Sequence, residues 1–224
     1  MRGRTTEREL MDGPVESTEE LRGNLRDIER ANRWLGGTST IKRHLSFYAV
    51  HSIVDIGCGA CDIPLVLLAS AARSGRPLAI TCVDASSQML DIARERAGQA
   101  SPLTFVQAFG ETLPFVDRNF DVAMCNLTLH HFDPQPAVQM LREMRRVSRF
   151  TPLVCDLRRT PIGIIGAWVF SRLVSRNRLT RHDAPLSARR AYTPLEAYSL
   201  ARDAGWKNPV VRQTPFSRMV MFDA

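Results

Sequence analysis

The sequence predicts an α/β protein: a doubly wound, mostly parallel seven-stranded sheet, with a helical extension at the N-terminus and a helical cap inserted before the last two strands. Three observations carry this reading. Short β-branched apolar runs alternate with helix-period segments from residue 52 onward. The first of these runs ends on a glycine turn that opens a helix. The chain has 224 residues, 44% hydrophobic and 7% aromatic, enough for one ordinary core and short for two full domains.

The elements follow in order. Ser17-Thr18-Glu19-Glu20 offers a capping-box-like start, and Leu21, Leu25, Ile28 and Leu35 recur at near-helical spacing, so an amphipathic helix is expected up to Gly36-Gly37. A second short helix, Thr38 to Phe47, turns Ile41 and Leu45 inward. Residues 1–48 form the extension and 49–224 the main domain, with the cap at about 160–193. In the main domain, strands are expected at 52–56, 78–83, 103–107, 120–125 and 153–156, and helices at 63–73, 87–97 and 136–147. Pro161 to Leu173 reads as an unusually apolar helix; a polar stretch, a helix at 194–204 and strands at 209–213 and 217–222 complete the chain.

Composition narrows the function. The formal charge is +7, but the basic residues are scattered over helix-like segments and form no aromatic-interleaved stripe, so a solvated face, favouring an anionic substrate, is preferred to nucleic acid. The longest apolar runs fall short of a membrane span, and the charged start MRGRTTEREL is unlike a signal peptide, so a cytoplasmic location is expected. Five cysteines in or beside apolar strands read as reduced, buried thiols. Cys58 and Cys61 form a C-x-x-C, yet no second pair at ligand spacing completes a zinc site, and no metal is expected.

The chemistry begins at Val54-Asp55-Ile56-Gly57-Cys58-Gly59, where two glycines sit where the backbone must turn sharply and let a ligand approach. A dinucleotide fingerprint would need a third glycine at position 62, which is Asp62. Asp84 ends the second strand beside that turn and can accept both hydroxyls of a ribose, so the pair suggests an adenosine-containing ligand in a Rossmann-like crevice.

From about residue 50 to 224, the motif order resembles the class I S-adenosylmethionine (SAM)-dependent methyltransferases, and among them the ubiquinone/menaquinone-biosynthesis type. By this resemblance the run from Val54 through Asp55, Gly57, Cys58 and Gly59 passes beneath the methionine part of SAM. Val83-Asp84-Ala85-Ser86, followed by Met89-Leu90, places Asp84 on the ribose, and Leu113-Pro114-Phe115 with Asp117 and Phe120-Asp121-Val122 matches the run from the adenine loop into the fourth strand. The segment Asn126 to Phe132 is implied to face the cofactor and the reacting methyl, and Arg181-His182-Asp183 with Arg189-Arg190-Ala191-Tyr192 to form a substrate-side cap. Two residues depart from the family pattern. Cys61 stands where a third glycine is usual, and Phe109 stands where an acidic residue accepts from the adenine amino group; Phe109 is expected to border the ring, with the backbone at Gly110 and Glu111 in reach.

The implied reaction is in-line attack by an oxygen or carbon nucleophile of a small, largely apolar acceptor (polyketide, phenol or quinone-like) on the sulfonium methyl of SAM, leaving S-adenosylhomocysteine, with oxygen preferred. A hydroxyl acceptor needs a base, and His130, His131 and His182 are the candidates. Trp34, Arg158, Trp168 and Tyr192 are the candidate acceptor-binding residues, and Asp156 with Arg158 and Arg159 is read as an anionic anchor or an ion pair. Two other readings stand beside this one: a repurposed SAM fold that binds a ligand without methylating, suggested by Cys61 and Phe109, and an RNA methyltransferase, suggested by the charge. Oligomeric state is left open.

Overall fold

In the computed structural model, which describes residues 3–13, 15, 17–99 and 101–224, the apolar runs form seven strands: β1 (Ser52–Ile56), β2 (Ala79–Asp84), β3 (Leu103–Gln107), β4 (Phe120–Asn126), β5 (Ser148–Leu157), β6 (Pro209–Thr214) and β7 (Arg218–Asp223). They lie in one sheet in the order β3-β2-β1-β4-β5-β7-β6. The first five pair in parallel, while β7 runs antiparallel to both β5 and β6. Because β1 pairs with β2 on one side and β4 on the other, the winding reverses at β1. The crevice this opens at the carboxyl ends of the strands is where ligands bind in such sheets.

Among the described residues, eight α-helices surround the sheet: α1 (Thr18–Trp34), α2 (Gly37–Leu45), α3 (Asp62–Arg73), α4 (Ser87–Ala97), α5 (Pro134–Val147), α6 (Pro161–Val174), α7 (Arg178–Arg190) and α8 (Pro194–Asp203). Alternation along the strands separates two cores. Val54, Ile56, Ala123, Cys125 and Val154 pack against Met140, Leu141 and Met144 of α5, Leu200 of α8 and Trp206. Ile53, Val122, Met124 and Leu153 pack on the other face against Ile41 of α2, Ile63 and Leu67 of α3 and Leu90 of α4.

The expected boundaries hold within a few residues, with two differences. Strand β5 begins at Ser148, five residues earlier than its apolar stretch, because Thr151 and Pro152 pair with Val122 and Ala123 of β4. The polar stretch after α6 contains a full helix, α7, whose N-terminus is capped by Asn177 accepting from the N–H groups of Leu179 and Thr180. Its polar residues are buried by partners distant in sequence: Thr180 donates to Asp27 of α1, and Asp183 accepts from the N–H groups of Leu10 and Met11. Its inward face mixes Leu179 and Leu186 with the polar Thr180, Asp183 and Ser187, and Pro185 stands within it, so hydrophobic periodicity did not single it out.

The turn after β1 is fixed sterically. Gly57 has φ +69°, and a Cβ there would come within 2.5 Å of Thr128 Cγ2. Gly57→Ala is therefore expected to destabilise the fold by about 2 kcal/mol or more, seen as a lowered Tm. A second fixed point is Glu143, which accepts from Arg146 and from Leu113 N–H, tying α5 to the loop before β4. The Arg146 guanidinium holds the Glu143 carboxyl below the ordinary glutamate range. A depressed folded-state pKa gives stability that is present above the unfolded-state pKa and lost as pH falls through the folded one. Glu143→Gln should thus cost about 1–2 kcal/mol in urea unfolding at neutral pH, and the difference from wild type should shrink in acid.

Candidate active site

At the crevice lies a cavity of about 710 Å³. Its floor is the glycine turn, Gly57 to Ala60, with Asp62 at the start of α3 and Asn126-Leu127 at the end of β4. One wall is α1, another is α6 with α7, and His130 and His131 close the side toward the N-terminal segment, which contributes Glu9 and Met11.

Beside the glycine turn the cavity is polar. Asn32 of α1 is the hub: its Oδ1 accepts from Asn126 Nδ2 and Arg218 Nη2, each at 3.1 Å, and its Nδ2 donates to Asp62 Oδ2 at 2.9 Å. Among the described residues, the buried atoms Asn126 Oδ1, Asn24 Oδ1 and Arg218 Nη1 and Nε have no hydrogen-bond partner, and all three side chains line the cavity. Buried polar groups are rarely left in this condition without a ligand to meet them. An unused acceptor on Asn126 and unused donors on Arg218, both side chains being bonded to Asn32, suit a group carrying both an ammonium and a carboxylate, the amino-acid end of SAM. The carboxyls nearby agree with this. Burial pushes Asp55 well above its ordinary value, an effect increased by Cys61, Asp62 and Asp84, and burial also raises Asp62 and Asp84. Such a cluster favours a cationic ligand.

Asp84 is held for its task by its neighbours: Oδ2 accepts from Gly59 N–H at 3.1 Å and Oδ1 from Ser86 N–H at 3.0 Å. It lies outside the cavity lining, as do Asp55, Ala85, Met89, Phe109 and Gly110. Met89 packs in an apolar cluster with Leu21, Leu25 and Ala60. Gly110 is wedged between Ile56 and Met140, and Phe109 is 67% exposed. Cys58 and Gly59 line the cavity floor. Cys61, with φ +56°, turns its thiol away into the interior, where Cys82 of β2 joins Cys58 and Cys61 so that the three sulfurs lie within 4.8 Å of one another. The C-x-x-C thus gains a third thiol from a neighbouring strand, which linear spacing did not reveal.

The histidines divide. His130 is buried; its Nδ1 lies 2.6 Å from Asp156 Oδ1, and its N–H donates to Asp156 Oδ2. Asp156 therefore pairs with His130 and not with Arg158 or Arg159, as the sequence suggested; Arg159 binds Glu196 instead, and Arg158 donates to Gln213. Burial opposes charge on Asp156, yet His130 holds its carboxyl below the ordinary range. His131 Nδ1 lies 2.7 Å from Asp12 Oδ1. Burial alone would lower the His131 pKa, but Glu9 and Asp12 push it up to about 9. His182 binds Asp183 at 2.7 Å but does not line the cavity, because it projects from the outer side of α7.

Of the expected acceptor-binding residues, Arg158 lines the cavity and the other three do not. Trp34 and Trp168 are half exposed, the latter beneath Arg172, and the buried Tyr192 donates its hydroxyl to Phe132 O. The apolar wall comes instead from Ile162, Ile165, Val169, Phe170 and Leu173 of α6. This helix is not core: Ser171 is its one buried residue among those described.

Comparison with known proteins agrees with this geometry. A family described as "Methyltransferase domain" matches residues 53–150. The chain is 32% identical over 108 residues to the uncharacterized methyltransferase YcgJ of Bacillus subtilis, a match covering 46% of this chain and 40% of that protein. It is 34% identical over 95 residues to the demethylmenaquinone methyltransferase of Thermotoga maritima, covering 42% and 38%. The matches thus span less than half the length of these relatives. The fold is that of a SAM-dependent methyltransferase from Aquifex aeolicus, with a TM-score of 0.65 at 14% identity over 93% of this chain and 98% of that one. β1, its glycine turn, Asp84 and the segment after β4 all fall within or beside residues 53–150, the region that resembles a methyltransferase domain, and the whole sheet shares the fold of the Aquifex protein.

Proposed function

We propose that this chain transfers the methyl group of SAM to a small, largely apolar acceptor, with oxygen preferred over carbon as the atom methylated. The observation that carries this reading is the continuity of one cavity from the glycine turn, through the Asn32 hub, to the apolar face of α6 and the edge formed by His130 and His131.

When bound, SAM supplies an electrophilic methyl on a sulfonium. The chain's own residues supply position and environment. Asn126 and Asp62 offer acceptors to the ammonium, Arg218 offers donors to the carboxylate, and Asp84 is set beside the turn for the ribose. The aliphatic and aromatic side chains of α6 exclude water and hold the acceptor, and holding two reactants in line can be worth about 7–11 kcal/mol. Deprotonation of an acceptor hydroxyl is assigned to His130, which lines the cavity with its Nδ1 occupied by Asp156; His131, which Glu9 and Asp12 raise to about 9 against burial, is charged at neutral pH. His182 has no part in this. The demethylmenaquinone methyltransferase name of the Thermotoga relative supports a quinone-like ring as one acceptor class.

Calorimetric titration with SAM and S-adenosylhomocysteine tests the reading. Micromolar binding is expected for the wild type, abolished in Asp84→Ala and weakened at least tenfold in Arg218→Met, with both variants folded by circular dichroism. Absence of binding by the wild type would leave a repurposed fold as the better description. With an acceptor in hand, Phe170→Ala should raise KM more than it lowers kcat, because that side chain contributes to ground-state binding.

A further inference from the structure

We propose that Glu9, His130 and His131 form a binding site for one divalent transition-metal ion at the acceptor end of the cavity. Glu9 Oε1 lies 3.5 Å from His130 Nε2, and Glu9 Oε2 lies 3.9 Å from His131 Nε2. The three donor atoms fall within 4.8 Å of one another. Bonds of about 2.0–2.2 Å from one ion place neighbouring ligand atoms roughly 3–3.5 Å apart, so closing the set requires only a small contraction.

Four independent features make this a site and not a chance cluster. Both imidazoles have their Nδ1 atoms occupied by separate carboxylates, Asp156 and Asp12, at 2.6 and 2.7 Å. This is the outer-shell arrangement that fixes a metal-binding histidine with its Nε2 lone pair outward. Glu9 is buried, and its Oε1 has no hydrogen-bond partner among the described residues. Charge is concentrated here as well: Glu9, Asp12 and Asp156 converge on two imidazoles, while Arg190, 3.9 Å from Asp12, and Arg4 direct their guanidiniums to backbone oxygens of the loop. Finally, Glu9, His130 and His131 all line the cavity, so coordination positions not filled by protein face the acceptor.

Two imidazole nitrogens and one carboxylate select zinc, iron, manganese or nickel over calcium or magnesium, which prefer all-oxygen shells. An ion held here would occupy the Nε2 atoms, so the imidazoles would be ligands in place of bases; it would take an oxygen of the acceptor, a phenol or enol hydroxyl, and make it acidic enough to release its proton to water. That role rests on the methyl-transfer reading, whereas the existence of the site does not.

The test is zinc titration of the chelator-treated full chain by calorimetry, with metal content after dialysis measured by elemental analysis. One equivalent per chain is expected, with affinity reduced at least tenfold in Glu9→Gln and in His131→Asn and unchanged in Cys82→Ser, which disrupts the three-thiol cluster. SAM binding by each variant, measured in parallel, shows that its fold is intact. No stoichiometric binding by the wild type, or binding lost in Cys82→Ser and kept in the other two, would overturn the proposal. Zinc binding without SAM binding would leave the site and remove the methyl-transfer reading; SAM binding without zinc binding would do the reverse.

Discussion

The buried carboxylate of Asp156 sets the geometry of the acceptor end. It sits at the end of β5 and accepts from His130 Nδ1, from His130 N–H and from Leu157 N–H. A buried carboxylate is costly unless it is paired and hydrogen-bonded, so the loop after β4 must present His130 to it. Once that loop is fixed, its carbonyls become anchors. Arg4, Arg190 and Tyr192 all donate to the backbone oxygens of residues 130–132, which draws the N-terminal segment and the end of α7 onto the same spot. The cap is therefore held by polar contacts to one loop, while its apolar helix α6 is left free to line the cavity.

A different constraint governs the cofactor end. Gly57 must adopt a left-handed conformation beneath Thr128, and this brings the carboxyls of Asp55, Asp62 and Asp84 close around the turn. Their mutual repulsion and burial would destabilise the turn if it had only itself for company. Asn32 and the N–H groups of Gly59 and Ser86 relieve part of this, and a cationic ligand would relieve more. The helix that supplies Asn32 and Asn24 belongs to the N-terminal extension, so the extension is a wall of the site as well as its cover.

The division between what could and could not be read from the sequence follows from these contacts. Strands β1 to β4, the glycine turn and Asp84 are signalled locally, because β-branched runs, a sharp glycine turn and a terminal acid lie next to one another in the chain. His130 and His131 were visible for the same reason. The residues that complete the site arrive from far away: Arg218 meets Asn32 across 186 residues, and Asp12 meets His131 across 119. Glu9 looked like one charge in a charged N-terminus, and Cys82 like one apolar strand position. Helix α7 was hidden because its buried face interleaves hydrogen-bonding residues with a few apolar ones. Trp34 and Trp168 lie outside the cavity lining, whose apolar wall is formed by their neighbours on α1 and α6.

The same cavity combines two environments that ask for different things of a substrate. Near Arg218 and Asn126 the unused hydrogen-bonding atoms penalise any group that cannot pair with them. Along α6 the wall is aliphatic, and a buried polar group there would lose its water without replacement. Between them stands the Glu9–His130–His131 edge, rich in charge yet screened from solvent. The proposed acceptor, apolar over most of its length with its reactive oxygen at one end, answers both demands, whereas a uniformly polar one would leave the α6 wall without a partner.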